Sequence, residues 1–161
     1  AVGSIKNMEF LGKNKEMGPM NMDGLLYSAL VAGDLPAAWL ITRHLVERAK
    51  TEQFSYATEF NCGLCFYQLE EYEKALSKLK RAEQLVSNEP DFDITERKLL
   101  LQALSKKGKM AVFLPLNPES SPKRYALIRI RWLMALSLID LGRKQEAAPI
   151  IRFLSQYNIE V

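Results

Sequence analysis

The sequence lacks the residues and patterns that most enzymes, membrane proteins and disulfide-stabilised proteins require. It contains one histidine and two cysteines, no glycine-rich phosphate loop and no run of about 18 consecutive apolar residues. We therefore predict no catalytic residues, no bound metal or other cofactor, and no membrane span. Two cysteines close together do not form a disulfide framework, which favours a reducing compartment, and the cytoplasm is the expected location.

The composition that remains is typical of one helical domain. The chain has 161 residues, of which 48% are hydrophobic and 25% are charged, so it is long enough to bury a core. Leu, Ala, Lys, Glu, Arg and Gln dominate, and these residues favour helices. The net charge of +3 is small, and basic and acidic residues are mixed along the chain, which argues against a nucleic-acid partner.

Four short breaks interrupt the helix-forming runs at nearly regular intervals. They are centred on Gly33, Glu70, Gly108 and Gly142. The intervals of 37, 38 and 34 residues each fit two helices and two turns, which is typical of helical repeat proteins. Three breaks contain glycine, which tolerates the left-handed conformation that ends a helix. Alanine follows three breaks by five positions, at Ala38, Ala75 and Ala147, where a small side chain lets two helices pack closely.

The second of these units, residues 57–82, resembles a tetratricopeptide repeat. Six positions match the small and large residues of that family at fixed spacing: Gly63, Phe66, Tyr72, Ala75, Leu79 and Ala82. The departures are Glu59 at the usual tryptophan of the first helix, Glu70 at the usual glycine of the turn, and Ser87 at the usual terminal proline. The first and last units match at fewer positions.

The resemblance implies an all-α fold, an α-α superhelix (solenoid) of three to four helical hairpins. The third unit is degenerate: a first helix is expected over about Phe92 to Lys107, but Pro115 and Pro118 break its second helix. We therefore predict a repeat domain over residues 22–161 with a loop insert at residues 109–122. Residues 1–21, which are rich in Gly and Met, are predicted to form an extended arm before it.

Two candidate chemical motifs have simpler structural interpretations. Cys62 and Cys65 form a C-x-x-C motif, but it falls in the middle of a predicted helix rather than at a helix N-terminus, where thiol pKa values are lowered. We expect both cysteines to be small buried packing residues. His44 has no partners for nucleophilic chemistry and is expected to be structural or surface-exposed.

In the tetratricopeptide family, the first helix of each unit lines a concave groove that binds a peptide. Carried onto this sequence, the resemblance implies a peptide-binding groove lined by Tyr27, Phe60, Asn61, Leu64, Tyr67, Arg129, Trp132 and Leu136. The family's clamp for a terminal carboxylate is matched only by Asn61, Lys98 and Arg129. The lining is apolar and aromatic with Arg129 and Arg131 near one end, which suits a hydrophobic peptide carrying an acidic residue.

The expected function is therefore that of a non-enzymatic adaptor or scaffold that binds a protein or peptide segment. One alternative is a secretion-type chaperone. A second is a self-assembling structural repeat protein, whose groove is filled by its own arm and which forms a homo-oligomer through the arm or the insert 109–122. A third is a redox module using Cys62 and Cys65.

Overall fold

The computed structural model describes residues 21–86 and 94–161, and within these ranges the chain forms seven α-helices and no strand. The helices are α1 (Met22–Val31), α2 (Leu35–Arg48), α3 (Tyr56–Gln68), α4 (Tyr72–Val86), α5 (Ile94–Lys107), α6 (Lys123–Asp140) and α7 (Lys144–Ser155), with one 3-10 helix (Gly108–Phe113) between α5 and α6. The predicted all-α class is confirmed. The predicted arm lies outside the described residues, apart from Asn21.

Side chains of the connecting residues begin the first three helices. Asn21, Asp34 and Ser55 accept hydrogen bonds from backbone N–H groups three residues ahead, at 3.1, 3.1 and 3.2 Å. A side-chain oxygen at this position satisfies one of the N–H groups that a helix start leaves without a partner. The beginnings of α1, α2 and α3 are thus fixed by local chemistry.

Three of the four breaks form the same backbone turn. Gly33, Glu70 and Gly142 have φ angles of 73°, 62° and 75°. In each turn this residue donates its N–H to the carbonyl three residues earlier, and the next residue donates to the carbonyl five residues before it. Glu70 therefore takes the left-handed conformation that glycine takes in the other two turns, although a side chain makes that conformation unfavourable.

The helices that flank these turns pack in pairs: α1 with α2, α3 with α4, and α6 with α7. The predicted close approach is confirmed, because Ala38, Ala75 and Ala147 are all completely buried. Gly63 serves the same purpose within the second pair. A Cβ atom added there would lie 3.0 Å from the side chain of Leu79 and 3.3 Å from the carbonyl oxygen of Ala75.

The fourth break leads to a different arrangement. Gly108 also has a positive φ, of 59°, but it begins a 3-10 helix, and no α-helix forms between Phe113 and Lys123. Residues 114–122, which include Pro115 and Pro118, contain no α-helix, and the first part of the predicted loop insert, as far as Phe113, belongs to the 3-10 helix. As a result α4 packs directly on α6, and α3 also contacts α6.

Two groups of buried apolar side chains hold the helices together. The smaller group joins α1, α2 and α3 around Leu26, Ile41 and Leu45, and includes both cysteines. The larger group extends from α3 to the C-terminal residues and includes Leu100 and Leu104 of α5. None of the helices in the described ranges has the length and apolar character needed to cross a lipid bilayer.

Candidate functional site

The insert, residues 109–122, lies along α3 and contacts that helix from one end to the other. The ring of Phe113 stacks on Tyr67 near the end of α3, with centroids 5.8 Å apart. The hydroxyl of Tyr56, at the start of α3, donates to the carbonyl of Ser121 at 2.6 Å. The insert therefore runs antiparallel to α3, across the surface that the sequence predicts to be a groove.

The side chain of Asn61 binds only backbone groups of the insert, near its middle. Its Nδ2 donates to the carbonyl oxygen of Leu116 at 2.8 Å, and the Leu116 N–H donates to its Oδ1, also at 2.8 Å. The Asn61 side chain is completely buried. One amide thus satisfies both backbone groups of one insert residue, as a neighbouring strand does in an antiparallel sheet. This recognition depends on the backbone and not on the identity of the side chain.

Arg129 binds the insert from α6. Its Nη2 donates to the carbonyl oxygens of Val112, at 3.2 Å, and Leu114, and its Nη1 donates to the Tyr125 hydroxyl at 2.8 Å. The guanidinium carbon also lies 5.3 Å from the centroid of the Phe60 ring, which places the positive charge against an aromatic ring. Asn61 and Arg129 therefore bind successive parts of the insert backbone from two different helices.

The environment of Arg129 is unusual for a charged side chain. The residue is 1% exposed, and its Nε has no hydrogen-bond partner. Among the described residues no carboxylate forms an ion pair with it. Burial lowers the pKa of Arg129, and the Tyr125 hydroxyl opposes that effect. The positive charge is thus held by neutral oxygens and aromatic rings.

Apolar side chains from both sides complete the contact. Val112 and Leu116 of the insert are buried in the same cluster as Phe60 and Leu64 of α3. Tyr67 closes one end, where its hydroxyl donates to Asp140 Oδ2 at 2.5 Å. Burial raises the pKa of Tyr67, and Asp140 adds to that increase.

The structure divides the eight residues predicted to line the groove into two groups. Five are buried: Phe60, Asn61, Leu64, Arg129 and Trp132. Three are partly exposed: Tyr27, Tyr67 and Leu136. The sequence suggested a surface left for a partner or for the arm, whereas in the structure the insert covers it. A role for these residues in binding a partner stays a prediction.

Two of the eight lie away from the centre of this contact. Trp132 lines a cavity of about 410 Å³ beside α5, together with Leu104, Tyr157 and Ile159. Tyr27 of α1 lines another cavity, of about 400 Å³, which the insert residues Asn117, Pro118 and Glu119 share. Of the other six, Phe60, Asn61, Leu64, Tyr67 and Arg129 make the contacts with the insert described above, and Leu136 packs against the same apolar cluster.

Arg131, expected beside Arg129 at one end of the groove, lies elsewhere. Its Nε pairs with Glu83 of α4 at 2.9 Å, and its guanidinium lies 4.4 Å from the centroid of the Phe153 ring. Two residues along a helix correspond to a rotation of about 200°, so the two arginines leave α6 on different sides. The expectation that both arginines mark one end of the groove is wrong.

Sequence reasoning missed two tyrosines that belong to the site. Tyr56 binds the Ser121 carbonyl, and Tyr125 binds Arg129. Each lies four residues before a predicted groove residue, Phe60 and Arg129, so it faces the same side of its helix. Both tyrosines are identified when the four-residue spacing of the predicted groove residues is extended by one helical turn toward the start of each helix.

The cysteines have the properties of packing residues. Cys62 and Cys65 are buried and free, and burial raises the pKa of Cys62 to about 12 and also raises that of Cys65. A redox thiol requires the opposite shift. His44 is exposed, and no cluster of three metal-binding side chains occurs in the part of the chain that the structure describes.

No protein-family model, no curated protein sequence and no solved structure matches this chain. Functional inference therefore depends on the contacts between the helices and the insert.

Proposed function

We propose that this chain is a non-enzymatic protein-binding module of the tetratricopeptide type, which holds a polypeptide segment against α3 and α6. The insert occupies that position in the absence of a partner. Binding requires the partner segment to displace the insert, so the partner and the insert compete for the same side chains.

The observation that carries this proposal is the pair of hydrogen bonds between Asn61 and the backbone of Leu116, both 2.8 Å long. Backbone groups are common to all polypeptides, so a site that binds them can accept another segment in the same place. The three identical turns and the pairing of α1 with α2, α3 with α4 and α6 with α7 support the repeat assignment.

The insert has the chemistry of a replaceable occupant. Leu114 has extended backbone angles (φ −78°, ψ 134°), and the residues that follow it as far as Asn117 are not helical. Three insert residues, Ala111, Val112 and Leu116, are buried in the larger apolar cluster, and Val112 and Leu116 have the two larger side chains. A partner segment with two apolar side chains at that spacing fills the same space.

A peptide-display selection against the full chain tests the proposal. Selected peptides should bind the double variant Val112→Ser/Leu116→Ser about tenfold more tightly than the wild type, because a weakened insert leaves a larger fraction of the molecules competent to bind. The matched control is Leu99→Ser/Met110→Ser, which makes similar changes at two exposed side chains. Its affinities should equal those of the wild type.

Circular dichroism establishes first that both variants keep their helices. If no peptide is selected, or if selected peptides bind the wild type and the Val112→Ser/Leu116→Ser variant equally, the groove is not the binding site.

A further inference from the structure

We infer that the segment which displaces the insert belongs to a partner protein and carries an Asp or Glu side chain that pairs with Arg129. This inference rests on the proposed function and adds the chemistry of the ligand. It identifies the ligand as a mostly apolar segment with one acidic residue near its centre.

The buried Arg129 side chain has no opposite charge beside it among the described residues. The residue is 1% exposed and its Nε has no hydrogen-bond partner. Its other contacts are two backbone carbonyls, the Tyr125 hydroxyl, and the rings of Phe60 and Tyr125. A buried charge without an opposite charge is an unfavourable arrangement, because neutral oxygens replace only part of the lost hydration. The insert therefore satisfies Arg129 incompletely.

A ligand must displace the insert in order to bind. The insert is tethered at both ends, so its effective concentration at the groove is high. An identical segment from a second copy makes the same contacts without that advantage and cannot displace it. A successful segment must add an interaction that the insert lacks, and a carboxylate for Arg129 is the interaction that is missing.

The contacts of Asn61 and Arg129 with the insert define where the acidic residue of the ligand lies. Asn61 binds the backbone at Leu116, and Arg129 binds the carbonyls of Val112 and Leu114, so Arg129 lies opposite the stretch between the two buried apolar residues. Phe113, Leu114 and Pro115 occupy that stretch; the Phe113 ring stacks on Tyr67 and Leu114 is 38% exposed, so the test places the acidic residue at each of the three positions in turn. The flanking residues remain apolar.

Fluorescent peptides with the sequence of residues 110–119 test this inference on the full chain carrying Val112→Ser/Leu116→Ser. Three peptides carry one Asp each, as Phe113→Asp, Leu114→Asp or Pro115→Asp, and each has an Asn counterpart. The Asp/Asn affinity ratio is measured again after adding Arg129→Gln, and after adding Arg131→Gln as the matched control. A ratio within one receptor cancels any effect of the variant on the insert.

We expect at least one Asp peptide to bind about tenfold more tightly than its Asn counterpart, as a charge-assisted hydrogen bond to a buried guanidinium requires. The preference should disappear with Arg129→Gln and persist with Arg131→Gln. Equal binding of every Asp and Asn pair overturns the inference and leaves the proposed function standing, as does a preference that survives Arg129→Gln. If no peptide binds, including the unchanged sequence, both proposals are overturned.

A second measurement avoids dependence on the folding of the variants. In the wild-type chain, hydrogen exchange of the Leu116 N–H reports whether the insert has left Asn61. The Asp peptide should accelerate that exchange at a lower concentration than its Asn counterpart. Identical concentration dependence overturns the inference.

Discussion

Replacing Asn61 by alanine tests most directly whether the insert is held by its backbone. The substitution removes two buried hydrogen bonds, each 2.8 Å long, between residues 55 positions apart in the sequence. It leaves the N–H and carbonyl of Leu116 without partners in a buried place, and each such group costs about 1–3 kcal/mol. We therefore expect Asn61→Ala to reduce the free energy of unfolding by about 2–6 kcal/mol.

Urea unfolding followed by circular dichroism measures the total effect, and native-state hydrogen exchange of the Leu116 N–H measures local opening of the insert. The matched control is Asn117→Ala in the insert, which removes one exposed hydrogen bond, from the Glu119 N–H to Asn117 Oδ1 at 2.9 Å. That change should alter stability by no more than about 0.5 kcal/mol. If Asn61→Ala costs no more than Asn117→Ala and exchange at Leu116 is unchanged, the insert is not anchored as described.

Three further predictions test the packing and the turns. Because burial raises the pKa of Cys62 to about 12 and raises that of Cys65 above the ordinary value of 9.0, the folded state keeps protons that the unfolded chain releases. The free energy of unfolding should thus fall above about pH 9, by up to about 1.4 kcal/mol per pH unit for each thiol. Urea titrations at several pH values should show a shallower fall for Cys62→Ala/Cys65→Ala than for the wild type. Glu70→Gly should stabilise the protein by about 0.5–1 kcal/mol and Gly142→Ala should destabilise it by about 1 kcal/mol, because both residues have positive φ angles. Thermal unfolding measures both effects, and the opposite order of stability contradicts the account of the turns. Trp132→Ala should cost about 3–5 kcal/mol in urea unfolding because the side chain is 4% exposed, whereas a loss below about 1 kcal/mol indicates a surface position.

The sequence predicts the helices and turns well because the responsible interactions are local. Gly33 and Gly142 mark turns through a backbone preference of their own, and Asp34 lies where it can cap the following helix. At Glu70 the regular spacing of the turns indicates a backbone conformation that the residue type does not. Its left-handed conformation follows from the period, since the turns before and after it in the chain require that conformation at the equivalent position.

The sequence predicts the helical face that forms the site, but it does not predict that the insert covers that face. Spacing of three and four residues identifies Phe60, Asn61 and Leu64 as one face of α3, because helical geometry relates them. The contact between Asn61 and Leu116 joins residues 55 positions apart, and no local pattern connects them. Periodicity identifies an apolar face without identifying what covers it.

The missing second helix of the third unit explains both the packing of α4 on α6 and the position of the insert. Because Pro115 and Pro118 prevent a second helix, α5 has no partner of the kind that α3 has in α4, and α4 packs on α6 instead. The chain must then connect the end of α5 to the start of α6 without a helix, and its course lies across α3. There its backbone groups, which no helix pairs, form hydrogen bonds with the side chains of Asn61 and Arg129. Under the function proposed above, the segment that replaces the missing helix is also the segment that a ligand of the groove displaces.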